Sequence, residues 1–395
     1  MANVNKYIDK ITREAVRLAH EKATFLGTID RQFDKEFSGN VKIGSQLRVR
    51  LPSQYVRTKG QRVIDVQDHE DQNTILTCAL QDHVAMRFNS AEFALETEMG
   101  FDAFSKQKLE PAMATLVSGI ESDVLQGVTK LVWNQAGTWG TPPTDLAPFG
   151  QARAYMNQDL APKDNQRAIQ YDSVNMAGMV NGLKGLFQDS KEIAEQYREG
   201  MMGRTAGFDW YENERIVSHT TGSDHTSVTI NDATNPEGMT TVTTAGANVT
   251  VGTVFTIANV NKVHPETKAS LGRSQQFVIT AVSGNDWTFA PAIYASGAKQ
   301  NVDALPVNGA AITLFGTASQ TKQQALAYHK EAFAFVTAEL PLMADAARCV
   351  VKTYDGISLR VWQQSDIRND EQLTRIDILY GYAAIRPQWA CRISM

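Results

Sequence analysis

The sequence predicts an α+β chain in which a small all-β domain interrupts a mixed host, on three observations. An apolar stripe at helical spacing runs through residues 113–131. Two alternating strands bracket a strongly charged connection within about 41–92. A Thr-rich segment opens a series of short, evenly spaced β runs within 219–318.

The chain has 395 residues, enough for two or three domains at roughly 100–200 residues each. Apolar residues make up 43% and charged residues 21%, which supports a sizeable core and excludes a disordered or collagenous chain. Lys+Arg is 38 against Asp+Glu 43, a net charge of −5 that argues against coating DNA by bulk charge. The three cysteines, Cys78, Cys349 and Cys391, include no CxxC, so neither a disulfide framework nor a zinc site is expected. The opening MANVNKYIDK lacks the apolar core of a signal peptide. The uncharged run from Gly238 to Asn261 is interrupted by Thr, Gly and Asn, so it reads as strands, and a soluble protein is expected.

Residues 4–22 form an amphipathic helix, with Ile8, Ile11, Ala15 and Leu18 on one stripe. That stripe must dock either on the chain's own core or on a neighbouring subunit or assembly partner. From about residue 41 the period becomes two. Leu47, Val49 and Leu51 alternate with Arg48 and Arg50 up to Pro52, and Thr74, Leu76, Cys78 and Leu80 share one face of a returning strand. The connection between them separates its charge. Lys42, Arg48, Arg50, Arg57, Lys59 and Arg62 give +6, and Asp65, Asp68, Glu70 and Asp71 follow with −4. A long isolated ribbon is marginal in water unless something pairs with it. This charge pattern suits docking on a complementary copy, and the alternative is a solvated surface hairpin.

Met113, Leu116, Ile120, Val124, Val128 and Leu131 continue one helical stripe for about 30 Å, a structural spine. Phe101 and Phe104 are read as its beginning, with Pro111 marking a kink or a late start. Pro142, Pro143 and Pro148 make 139–150 a loop, and 170–200 read as mixed helix. Twelve threonines then fall between Thr220 and Thr256, followed by β runs at 226–230, 249–257, 275–282, 286–290 and 311–315. Ser283-Gly284-Asn285-Asp286 is a turn between two of them. The pattern describes a barrel or sandwich of about 100 residues inserted at a loop tip of the host. Two alternating strands, around Ile357–Val361 and Ile376–Tyr380, close the chain across a charged turn.

Chemical motifs are absent. There is no GxSxG, HExxH or GxGxxG, and Gly39 to Gly44 has P-loop spacing with Ser45-Gln46 where Lys-Ser/Thr is required. His69 and His83 lie near Glu70, Asp71 and Asp82, which reads as a surface charge cluster before a metal site. Asp366, Asp370, Glu371 and Asp377 could be cast as a glycosidase pair, but Arg368 and Arg375 among them favour ion pairs between strands or subunits. No catalytic, cofactor-binding or metal-binding residue is assigned.

Four stretches resemble the major capsid (coat) protein family of short-tailed phages, the gene-5 type. They are GSQLRVRLPSQYVRTKGQ (44–61), RTAGFDWYENERIVSHTTGS (204–223), GTVFTIANVNKVHPETKASLGRSQQFVITAV (252–282) and LRVWQQSDIRNDEQLTRIDILYGYAAIRPQWACRI (359–393). The resemblance implies the Hong Kong 97 type capsid fold, with an N-terminal arm at 1–40, an E-loop at 41–92 and a P-domain with its spine helix at 93–135. An A-domain would span 136–218 and an inserted β-barrel, the I-domain, 219–318. Residues 319–395 would return through the A-domain to P-domain strands.

It implies a structural protein, assembling as pentamers and hexamers into an icosahedral shell around double-stranded DNA, without sequence-specific DNA contacts and without a membrane. Scaffolding, portal and decoration proteins would be partners, and assembly would occur in the host bacterial cytoplasm. Arg48, Arg50, Arg57, Lys59, Arg62, Asp65, Asp68, Glu70 and Asp71 are then the candidates for contacts between subunits. Asp9 and Glu14, expected to be exposed on the first helix, are candidates for scaffold docking. No lysine–asparagine pair for covalent crosslinking is assigned. The alternatives are an encapsulin-like compartment shell, a β-rich tail or adhesin module, and a glycosidase using Asp366 and Asp370.

Overall fold

The computed structural model describes residues 4–33, 37, 44–60, 66–67, 71–89, 108–183, 203–223, 225, 228–246, 248–343, 348–354 and 357–395. Contacts divide the chain into two compact units, each assembled from separate stretches.

The first unit comprises residues 1–49, 75–124 and 333–383. Its sheet runs in the order β1 (Gln46–Leu51), β2 (Gln72–Asn89), β18 (Glu371–Ala384), β17 (Ile357–Asp366) and β16 (Arg348–Tyr354), with β15 (Phe333–Ala338) also paired to β18. The β2–β18 ladder is antiparallel from Glu371↔Asn89 to Gly381↔Cys78, with one irregularity after Tyr380. Only glycine fits at 381, because a Cβ there would lie 2.1 Å from the Thr77 carbonyl oxygen. Helix α1 (Val4–Lys22) packs on β16 and β17, burying Ile11, Ala15, Val16, Leu18 and Ala19. Its apolar stripe therefore docks on the core of its own unit. The Ile8 side chain lies outside the described residues.

Helix α2 (Glu110–Thr129) is the spine. Its second residue is Pro111, where a missing N–H costs nothing, so the proline marks a late start. Phe101 and Phe104 lie outside the described residues. Met113, Leu116, Val117, Ile120, Val124, Leu125 and Val128 are buried, whereas Leu131 falls beyond the helix end and is 37% exposed. The stripe thus stops one step earlier than its spacing predicts, since the chain leaves the helix after Thr129. Glu121, buried on α2, accepts a hydrogen bond from the Phe25 backbone N–H and so ties down the segment after α1.

The second unit comprises residues 50–74, 125–332 and 384–395. Its host sheet runs β3 (Gln135–Ala136), β19 (Ala390–Ser394), β14 (Thr321–His329), β4 (Arg167–Tyr171), β6 (Phe208–Glu212) and β5 (Arg204–Thr205), with β7 (Val217–Thr220) paired to β14. Helix α3 (Ala147–Gln158) covers β3 and β19, and α4 (Ser173–Leu183) follows β4. Pro148 lies inside the first turn of α3, so part of the expected 139–150 loop is helix. Phe149 of α3 packs on Tyr171 and Trp210, with centroids 5.7 and 4.6 Å away. The last strand, 390–394, joins this host sheet beside β14 instead of extending the sheet of 357–384. Its register, Ala325↔Ile393 and Ala327↔Cys391, buries every residue of the strand.

Between β7 and β14 the chain makes a barrel of β8 (Val228–Thr229), β13 (Ala311–Leu314), β10 (Val254–Val263), β11 (Ser270–Ser283), β12 (Asp286–Ile293) and β9 (Met239–Thr243), in that order. The Ile230↔Thr244 bridge, with Asn231 N–H to Thr243 O at 2.9 Å, joins the two edges and closes it. Alternation sorts the side chains. Phe255 and Phe277 point inward with Trp287 and Phe289, and all four are buried with centroids 5.3–5.9 Å apart along the Phe255 and Phe277 contacts. The paired Val254 and Val278 point outward onto Trp133 of the host. The 283–286 turn forms as expected, with its positive φ at Gly284. Strand β9 is absent from the sequence expectation because three of its five residues are threonine. Residues 249–253 are a turn instead of the start of a strand.

Phe277→Ala removes a fully buried ring of the barrel's aromatic cluster. It is expected to lower unfolding stability by about 3–5 kcal/mol, read from the urea midpoint at unchanged slope.

Candidate assembly surfaces

The charged excursion follows from its alternation. Along β1 the burial repeats exposed and half-buried, with Arg48 and Arg50 outward and Leu47, Val49 and Leu51 inward. Ser45 O accepts from Cys78 N–H at 2.9 Å at the base. Beyond Leu51 the chain is extended, and Gln67 clamps Val56 from across the loop: its Oε1 accepts from Val56 N–H at 2.8 Å and its Nε2 donates to Val56 O at 2.5 Å. Arg57 and Lys59 are exposed, as are Tyr55 at 59% and Val66 at 82%. Asp71 is exposed at the foot of β2, whereas Arg62, Asp65, Asp68 and Glu70 lie outside the described residues.

On α1, Glu14 is half-buried and accepts from Arg17 Nη2 at 2.6 Å and Nε at 3.0 Å. This corrects the expectation of a freely exposed Glu14: the i,i+3 spacing places Arg17 over it. The backbone of Asp9 is helical and its side chain lies outside the described residues.

The carboxylates read as an alternative glycosidase pair have other work. Asp377 is fully buried, accepting from Arg360 at 2.7 Å and Arg375 at 2.5 Å. Asp366 caps its own turn, accepting from Arg368 N–H at 2.9 Å and Asn369 Nδ2 at 2.7 Å. Arg87 pairs with Glu371 at 3.2 Å across β2 and β18. These are ion pairs and turn bonds within the subunit. Asp82 accepts from Tyr380 Oη at 3.0 Å, His83 is exposed on the strand, and His69 lies outside the described residues. Among the described residues no three His, Cys, Asp or Glu side chains are grouped for a metal, and no helix is long and apolar enough to cross a membrane.

The barrel is fastened to its host by buried polar bonds. Asp159, just after α3, receives the Lys262 ammonium of β10, Asn134 Nδ2 at 3.1 Å and, on its carbonyl, Trp389 Nε1 at 2.9 Å. Burial pulls the Lys262 ammonium below its ordinary range, and the Asp159 carboxylate opposes that shift. Arg273 of β11 donates to Gln158 at 2.7 Å and lies 4.0 Å over the Tyr155 ring. Gln135 and Gln276 exchange reciprocal bonds of 2.9 Å between side chain and backbone. His219, on the strand leading into the barrel, is buried edge-on to Trp139 and contacts Thr253 Oγ1 at 3.2 Å. Burial first, then Arg392, Lys130 and His225, lower its pKa to about 4.

Residues 28–392 match the family described as P22 coat protein, gene protein 5. The chain belongs to this coat protein family. Family and curated relative alike are structural capsid proteins, not enzymes. A curated major capsid protein from Acyrthosiphon pisum secondary endosymbiont phage 1 is 34% identical over 86 residues. That match covers 22% of this chain and 20% of the relative, so the chain spans about a fifth of the length of the curated relative it matches. A Mycobacterium phage Che8 structure aligns over 94% of this chain and 90% of its own at 11% identity and a TM-score of 0.48. The CUS-3 coat protein I-domain is 33% identical over 24% of this chain and 97% of its own, with a TM-score of 0.21.

The family, the mixed helix–sheet architecture, the spine helix and the interrupting barrel were all legible in the sequence. The buried polar junction was not, because Asp159, Lys262, Arg273 and Gln276 carry no motif and meet only through long-range folding.

His219 gives this coat protein a pH dependence. Its folded pKa lies below the ordinary 6.5, so its contribution is complete above pH 6.5 and declines as pH falls toward about 4. The loss is expected to reach about 3 kcal/mol. Urea midpoints across that range should show this slope in the native chain and a flatter one in His219→Gln.

Proposed function

We propose that this coat protein is the repeated subunit of a closed icosahedral shell, of the Hong Kong 97 type, around the double-stranded DNA of a tailed phage. The observation that carries the proposal is the family match over residues 28–392. The excursion supports it physically. A two-stranded arm with arginines along one edge and exposed Tyr55 and Val66 beyond is suited to lie on a neighbouring copy. Repeated contacts between unlike patches of one chain close into rings, here pentamers and hexamers.

In this reading Arg48, Arg50, Arg57, Lys59 and Arg62 meet acids of the adjacent subunit, with Asp65, Asp68, Glu70 and Asp71 as the complement. Such exposed pairs fix register more than they add affinity. The net charge of −5 keeps the wall from gripping packaged phosphate, so DNA is enclosed without sequence-specific contact. Assembly takes place in the host bacterial cytoplasm with a scaffolding protein, a portal and a decoration protein. Shell contacts are non-covalent and no cofactor takes part. The domain limits proposed from the resemblance (1–40, 41–92, 93–135, 136–218, 219–318 and 319–395) name the parts.

Negative-stain microscopy of the purified chain with scaffold is expected to show hollow closed particles; a lone monomer under every condition would overturn the reading. Arg48→Glu with Arg50→Glu should abolish or misshape those particles while leaving the circular dichroism of the free subunit unchanged. Unaltered particle yield would remove the arm from the interface. For the scaffold, Asp9→Lys with Glu14→Lys is expected to reduce scaffold incorporation several-fold, measured as the scaffold-to-coat ratio in sedimented procapsids. An unchanged ratio rejects that docking site.

A further inference from the structure

Around Arg392, on strand β19 of the host sheet, buried donors outnumber acceptors. The side chain is 1% exposed. Its Nη1 donates to Gly252 O at 2.7 Å and to Gln324 Oε1 at 3.3 Å. Gly252 can offer that carbonyl because it turns at φ 94° with Lys130 and His219 against it, where a Cβ would lie 3.1 Å from Lys130 Cγ.

The remaining guanidinium donors, Nε and Nη2, have no acceptor among the described residues, and neither does the Nε2 of Gln324, itself 2% exposed. Nε–H and Nη2–H leave the same edge of the guanidinium in parallel. They form the fork that elsewhere receives a carboxylate or another anion. Among the described residues no carboxylate is paired with Arg392. The charged and titratable groups acting on neighbouring His219, namely Arg392, Lys130 and His225, are all basic. A buried cation without a counter-charge costs several kcal/mol. Water could satisfy the fork's hydrogen bonds but would leave the charge unbalanced.

We propose that the junction between barrel and host binds one small inorganic anion of the chloride class, seated on the Nε–Nη2 fork of Arg392. The ion supplies the missing counter-charge to the guanidinium whose Nη1 already ties β19 to the Gly252 turn at the foot of the barrel. Because Arg392 is buried within one subunit, the site does not depend on shell formation. Its ligand is a free ion, since an acidic side chain of another copy has no route to a residue this buried.

The test compares the full chain in chloride and in gluconate, which is too large for an enclosed site, at equal sodium and ionic strength. The unfolding midpoint, followed by tryptophan fluorescence, is expected to rise with the logarithm of chloride with a slope of one ion per chain. The dependence should vanish in Arg392→Met. The same midpoint in both salts, or a chloride response retained by Arg392→Met, overturns the proposal in favour of buried water. If that variant does not fold, two measurements on the native chain decide. Crystals grown in bromide should give an anomalous peak beside Nε and Nη2, and its absence rejects the site. The His219 pKa, followed by NMR, should be higher in chloride than in gluconate, and equality rejects an anion beside it.

Discussion

Asp159 sets the constraint on which the second unit depends. One buried carboxylate and its own carbonyl receive groups from three distant stretches: Lys262 from the barrel, Asn134 from the segment after the spine, and Trp389 from just before the last strand. Removing Lys262 or the Asp159 carboxylate would leave the other charge stranded in the interior, a far larger penalty than an exposed pair carries. The barrel is therefore held as a fixed part of its host and does not hang from a tether. The surrounding bonds of Arg273 and of Gln135 with Gln276 add orientation, since each needs its partner at one angle as well as one distance.

The two parts of the second unit are held by different physics. Inside the barrel, cohesion comes from aromatic packing around Phe255 and Phe277, which carries no titratable group. At the junction it comes from ionised and hydrogen-bonded groups, which respond to pH. Acidification acts on the attachment through His219 before it acts on the barrel's interior. The outward pair Val254 and Val278, packed on Trp133, is the apolar seam between them.

Period and composition carried most of the architecture. The alternation of Leu47, Val49 and Leu51 with two arginines gave the strand its faces, and the 3- and 4-residue steps from Met113 to Val128 gave the spine. The failures have local causes. Leu131 satisfied the spacing but stood past the helix end. The threonines of β9 hid a strand whose inward residues are only Met239 and Val242. Pro148 read as a loop residue although a helix tolerates it in its first turn. Glu14 looked available from spacing alone, but Arg17 one turn later had already engaged it. Buried polar contacts such as Asp159 with Lys262 join residues a hundred positions apart, and no window of sequence displays them.

The order of strands in the host sheet has a consequence for how the polypeptide matures as it leaves the ribosome. All six barrel strands come from one continuous stretch, so that module can close while the rest of the chain is still being made. The host sheet cannot. Its second position belongs to residues 390–394, wedged between β3 and β14, and until they emerge those two neighbours have no strand between them. Nascent subunits therefore carry an open slot of unpaired backbone from the emergence of β14 at residue 329 until residues 390–394 follow, late in translation and after the barrel strands have been made.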